Sequence, residues 1–167
     1  MVEDIGIRGL AESLVTTLSE AGKTVTTAES CTGGWIAKAI TDIPGSSSAF
    51  AYGIVSYSNG AKEALLGVKN PTLVDNGAVS ETVVTEMAEG ALQLSGADVA
   101  VAVSGVAGPD GGSEDKPVGT VCFAWALRKG SGISADSESQ FFEGNRNEVR
   151  VQTVAHALRG VLDRMSA

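Results

Sequence analysis

Thr24–Ile43, TVTTAESCTGGWIAKAITDI, changes its pattern half-way. Thr24–Ala28 is short and β-branched, which favours a strand. Beyond Gly33 and Gly34, the residues Trp35, Ile36, Ala39, Ile40 and Ile43 recur at helical intervals up to Pro44. A strand therefore passes through a tight glycine turn into a helix, and the pattern returns along the chain. Ile7–Ala21 carries Leu10, Leu14, Val15 and Leu18 at helical spacing, with Gly22 as a stop. Phe50–Ser58 (FAYGIVSYS) has strand composition and leads into a short helix over Ala61–Val68, with Ser58 or Asn59 available as its cap. Pro71–Gly77 predicts another short helix, and Ser80–Leu94 a longer one with Val83, Val84, Met87, Ala88 and Leu92 turned inward. Asp98–Val103 reads as a buried strand and Gly105–Pro117 as a long loop. Val118–Leu127 and Ile133–Phe142 form a hairpin, and Asn147–Met165 a closing helix. Strands alternating with helices before a late hairpin predict an α/β fold, a three-layer α/β/α sandwich around a mixed β-sheet.

The 167 residues, 43% of them apolar and 19% charged, fit one globular domain spanning 1–167. No apolar run is long enough for a membrane span, and the acidic, amphipathic start is unlike a signal peptide, so a soluble cytoplasmic protein is expected. The cysteines, Cys31 and Cys122, have no metal-ligand spacing and read as reduced thiols, with no metal site expected. A net charge of −8 disfavours nucleic acid as a partner, because polyanion binders present a basic face.

In open α/β sheets the ligand crevice lies at the carboxyl ends of the strands, which singles out the loops Glu29–Gly34, Tyr57–Lys62 and Ser104–Pro117. Ser30 sits at the strand-to-helix turn, where free amides can stabilise an oxyanion and Gly33 and Gly34 allow close approach of a substrate. The same glycines also suit a helix start built for packing. A serine nucleophile needs a base, and the single histidine, His156, reads as structural, beside the apolar stripe of the closing helix. The remaining partner is lysine, with a pKa that must fall from about 10.4 toward 7 or 8. Lys62 lies in the first turn of its helix, where the dipole opposes a cation; an exposed lysine there is the alternative. Tyr57 could relay a proton between Ser30 and Lys62, or simply pack at a strand end.

The loop SGVAGPDGGSEDKPVG offers backbone amides, Ser113 and Lys116 to a phosphate or carboxylate, or forms a structural loop; it lacks the Walker A order required for kinase-like chemistry. Arg146 and Arg150, one helical turn apart, could present a guanidinium to an anion, with solvation the simpler reading for Arg150. Cys31 beside a helix start would be acidified and reactive, but a small buried side chain explains it as well.

Together, VTTAESCTGGWIAKAITDIPGSS, YGIVSYSNGAK, GAVSE and SGVAGPDGGSEDKPVGTV resemble the CinA C-terminal domain family. Its characterised members are nicotinamide-nucleotide (NMN) amidohydrolases, the PncC-type deamidases, and the resemblance runs from about Leu10 to the end. It implies the stand-alone form of the family, without the larger N-terminal domain of longer CinA proteins. It further implies hydrolysis of NMN to nicotinate mononucleotide and ammonia in pyridine nucleotide recycling, with no cofactor and with a homo-oligomeric state. In this sequence the family's nucleophile maps to Ser30, its lysine to Lys62 and its tyrosine to Tyr57. The expected oxyanion donors are amides of Cys31, Thr32, Gly33 and Gly34, and the expected substrate-binding side chains are Ser104, Lys116 and Arg146. Two rivals stand beside this expectation: a non-catalytic nucleotide-binding or regulatory module, and a hydrolase that uses Cys31.

Overall fold

A computed structural model of the chain describes residues 2–166. Its elements run α1 (Val2–Ala21), β1 (Val25–Glu29), α2 (Trp35–Thr41), β2 (Ile54–Val55), α3 (Asn59–Leu66), α4 (Asn70–Asn76), α5 (Glu81–Ser95), β3 (Val99–Gly105), β4 (Thr120–Lys129), β5 (Gly132–Phe141) and α6 (Arg146–Met165). The five strands form one sheet in the order β2-β1-β3-β4-β5. β1 is parallel to both β2 and β3, whereas β3–β4 and β4–β5 are antiparallel. The mixed sheet and its helices are the α/β/α arrangement predicted from the sequence.

The two faces of the sheet carry different side chains because successive residues of a strand point to opposite sides. One face presents Val99, Val101 and Val103 of β3 with Val121, Phe123 and Trp125 of β4, and α1, α2 and α6 close over it. The other face is nearly all alanine, with Ala28, Ala100, Ala102, Ala124 and Ala126, and it receives α5 together with Leu66 of α3 and Leu73 of α4. Small side chains let α5 lie close to the sheet. Gly90 of α5 in turn lets α3 approach: a Cβ there would stand 1.9 Å from the Leu66 carbonyl oxygen.

Local side-chain caps set the starts of α3, α5 and α6. Ser58 and Ser80 accept from the amides of Ala61 and Val83, and Asn145 accepts from Glu148 N. Gly130, at φ 58, takes the left-handed position in the tight turn between β4 and β5. Two strand boundaries differ from expectation. Of Phe50–Ser58 only Ile54–Val55 pairs as strand, with an isolated parallel bridge between Phe50 and Val25. Between them Thr26 Oγ1 donates to the Tyr52 carbonyl at 2.9 Å, so a side chain replaces a ladder bond along this edge. β4 begins at Thr120 because Gly119, at φ 101, is pressed against the Phe142 carbonyl; a Cβ would meet that oxygen at 2.2 Å.

Candidate active site

The end of β1 is held from both sides. Ser30 N donates to the Val103 carbonyl at 3.1 Å, and Ser56 N donates to the Glu29 carbonyl at 2.8 Å. This grip places Ser30 at the carboxyl edge of the parallel strands, where such sheets open a ligand crevice. The chain then turns through Gly33 (φ 58) and Gly34 (φ 101), backbone conformations that a side chain resists, and enters α2.

Lys62 comes from α3 and is buried, with only 1% of its surface exposed. Its Nζ donates to Ser30 Oγ at 2.9 Å and to the Ser56 carbonyl at 2.9 Å, with the Tyr57 carbonyl at 3.5 Å. Burial lowers its pKa from the ordinary lysine value, against a smaller opposing influence of Cys31. The sequence predicts a fall caused by the helix dipole; in the folded protein desolvation is the leading cause. In its neutral form, which burial favours, such a lysine in contact with a serine hydroxyl is able to accept that hydroxyl's proton.

Cys31 is the opposite case. Burial pushes its thiol up to about 12, against a smaller pull from its own backbone amide; Glu29 also raises it, while Arg150 and Lys62 lower it less strongly. The acidified thiol expected at a helix start does not arise, because burial disfavours the thiolate, and Glu29 already occupies the start of α2. Glu29, fully buried, accepts from Thr32 Oγ1 at 2.6 Å and from the amides of Ile36 and Ala37 at 2.9 and 3.0 Å. The carboxylate thus satisfies the first free amides of α2 and braces the turn.

Ser30, Cys31, Tyr57, Lys62, Ser104 and Arg146 line one cavity of about 300 Å³, with Asn59 and Asp110 also on its wall. Arg146 spans it, with Nη1 donating to the Gly108 carbonyl at 2.7 Å and Nη2 to the Tyr57 hydroxyl at 3.0 Å. The Tyr57 side chain, 61% exposed, is therefore paired with Arg146, while Lys62 reaches Ser30 without an intermediary. Thr32, Gly33 and Gly34 face an adjoining hollow with Trp35, Lys38 and Arg150. Lys116 is outside the cavity, its Nζ bonded to the Asn76 carbonyl at 2.7 Å, where it ties the glycine-rich loop to the end of α4. His156 is not on the wall of the Ser30 cavity: its ring lies among Phe123, Trp125 and Phe142 and pairs with Glu138, in keeping with the structural reading of the sequence.

Residues 7–165 match the CinA C-terminal domain. The chain belongs to the CinA C-terminal domain family. Within that family it is 55% identical over 156 residues to the nicotinamide-nucleotide amidohydrolase PncC of Escherichia coli strain K12, covering 93% of each chain. The competence damage-inducible protein A (ComA) of Klebsiella pneumoniae superposes with a TM-score of 0.91 at 38% identity, over 96% of this chain and 97% of that one. The competence/damage inducible protein CihA of Agrobacterium tumefaciens gives 0.89 at 43% identity, over 97% and 96%. Two supports of this CinA-family site were not assigned from the sequence. Glu29 had one local signal, an acidic residue ending a buried strand, which demands donors nearby. Arg150 had none, because its partners at Cys31 and Thr32 lie 119 and 118 residues away.

Proposed function

We propose that this chain is a nicotinamide-nucleotide amidohydrolase that converts NMN and water to nicotinate mononucleotide and ammonia, with Ser30 as nucleophile and Lys62 as base. One observation carries the reading: a lysine 1% exposed, its pKa lowered by burial, stands 2.9 Å from the hydroxyl of a serine in a cavity. The neutral amine keeps two N–H groups, and the carbonyls of Ser56 and Tyr57 are placed to take them. Its lone pair is left toward Ser30, and the 2.9 Å contact then runs from the serine hydroxyl to the amine.

Ser30 attacks the carboxamide carbon as its proton moves to Lys62. The proton passes on to the departing nitrogen, ammonia leaves, and water attacks the resulting ester to release the carboxylate and restore Ser30. Backbone accounting narrows the oxyanion donors. The Gly33 amide is committed to the Ser30 carbonyl at 3.1 Å, whereas among the described residues the amides of Cys31, Thr32 and Gly34 have no protein acceptor. Cys31 lines the cavity beside Ser30, and its amide is the first donor we assign. Arg146 and Ser104 are assigned to the substrate's polar groups, with Arg146 exchanging Tyr57 and Gly108 for the 5′-phosphate; Lys116 acts by holding the loop. Tyr57 serves by presenting its carbonyl to Lys62 and its hydroxyl to Arg146.

The test is ammonia release from NMN, nicotinamide and NAD by the purified protein and its Ser30→Ala and Lys62→Ala variants. Turnover preferring NMN, reduced about 10³-fold or more in both variants, is expected. Full activity in either variant rejects the mechanism, and absence of turnover in the parent protein favours the non-catalytic module. No helix among the described residues is long and apolar enough to cross a membrane. We propose a homo-oligomer acting in the cytoplasm on a small-molecule nucleotide without nucleic acid. Light scattering and a DNA-binding assay test its assembly and the nucleic-acid part.

A further inference from the structure

Arg150 is the cation closest to the nucleophile turn that the reaction just described leaves without a part. It projects from α6 with Nε donating to the Cys31 carbonyl and Nη2 to the Thr32 carbonyl, both at 3.1 Å, and its guanidinium lies over the Trp35 ring at 5.4 Å. Its side chain borders the hollow of Thr32, Gly33, Gly34 and Trp35, and is absent from the wall of the Ser30 cavity. A substrate seated on Ser30 does not meet it, so anion binding in that cavity is the work of Arg146.

We infer that Arg150 is a positioning residue for the oxyanion site: by drawing the Cys31 and Thr32 carbonyls to the α6 side, it turns the Thr32 amide toward the nucleophile and strengthens it as a donor. The inference rests on the serine-hydrolase reading above. A trans peptide is planar, with its C=O and N–H opposed. When Arg150 holds the Cys31 carbonyl on one side of the turn, the N–H of Thr32 in the same peptide unit must point to the other side, away from Arg150. That amide has no protein acceptor among the described residues although Thr32 is fully buried. A buried backbone donor left without a partner is uncommon and is expected at a position where a ligand supplies the acceptor. The positive charge on the carbonyl oxygen also polarises the peptide and makes its N–H a better donor to developing negative charge. Glu29 completes the arrangement from beneath by taking the Thr32 hydroxyl and the first amides of α2. The turn is thus held at its carbonyls by a cation and at the Thr32 hydroxyl and the Ile36 and Ala37 amides by an anion, leaving the Cys31, Thr32 and Gly34 amides without a protein acceptor among the described residues.

The experiment compares wild type, Arg150→Gln and Arg150→Lys in NMN turnover and in binding two ligands: nicotinate mononucleotide, and the pyridine-3-aldehyde mononucleotide, which Ser30 converts to a tetrahedral adduct. Because deletion of a direct oxyanion donor costs about 10²–10³-fold, an indirect one should lower kcat about 10- to 100-fold in Arg150→Gln with KM nearly unchanged. Affinity for the aldehyde should fall in step with kcat, while affinity for the carboxylate product should stay constant. Arg150→Lys, with its charge but without the fork, should lie between the two. If Arg150→Gln does not fold, the same kcat-against-KM split and aldehyde loss are read from Arg150→Lys. Unchanged turnover, or equal loss of product and aldehyde binding, overturns the inference. A wild-type protein without amidase activity, or a fully active Ser30→Ala variant, instead overturns the parent reading.

Discussion

Replacing Lys62 by methionine tests whether the amine at the cavity floor is neutral in the folded protein. The side chains are similar in length, but methionine binds no proton. Burial lowers the Lys62 pKa in the folded state, while the unfolded chain has the ordinary value of about 10.4. Between the lowered pKa and the ordinary one, the unfolded chain holds a proton that the folded chain lacks. Stability then rises with pH by at most about 1.4 kcal/mol per pH unit, the slope for one proton. Below the lowered pKa both states are protonated and the slope vanishes. The assay is urea denaturation of wild type and Lys62→Met from about pH 6 to pH 9, below the ordinary lysine range and largely below the titration of unfolded cysteine. The stability of the variant relative to wild type should be greatest at the acid end, stay level, and then fall with the one-proton slope. The pH at which it bends should coincide with the acid limb of kcat/KM for the wild-type enzyme, since both report the same proton in free enzyme. Parallel stability curves, or a bend that misses the activity limb, would refute the neutral-base argument.

Three further outcomes follow from the same geometry. Cys31→Ser should keep amidase activity within a few-fold, and native Cys31 should resist alkylation by iodoacetamide near neutral pH, because its thiol is held up at about 12. Glu29→Gln should cost about 2–4 kcal/mol in urea denaturation: it loses charge-assisted acceptance and sets an amide N–H against one of the donors from Thr32, Ile36 or Ala37. Gly90→Ala should cost about 1–3 kcal/mol by forcing α3 away from α5, and turnover measured on the remaining folded protein should fall as Lys62 moves with α3.

What the sequence revealed was mostly local. The alternation VAVAV of β3, the capping serines at 58 and 80, and the glycine turn after Ser30 each carry their own structural instruction within a few residues. Edge strand β2 does not, because its pairing depends on β1 and on a Thr26 side chain that substitutes for a ladder bond. In the site, the preference violated by Lys62 at a helix start was visible, and the structure brings it to Ser30 from 32 residues away. The reason for its lowered pKa was not visible, since burial is a property of the packed layers. Lys116 carried the charge that a phosphate site calls for, yet its position depends on α4, which captures it through the Asn76 carbonyl. Arg146 and Arg150 look alike in sequence, and only the tertiary fold sends one across the cavity and the other to the back of the turn.

The alanine face of the sheet acts as a caliper. Ser30 is fixed to the sheet and Lys62 to the helical layer above it, so the 2.9 Å between them is a reading of the gap between layers. Methyl groups at positions 28, 100, 102, 124 and 126 set that gap narrow, and the Gly90 crossing locks the second jaw. An isopropyl group on this face would be a shim: it could leave every reacting residue in place in the sequence and still open the jaws beyond the reach of a proton.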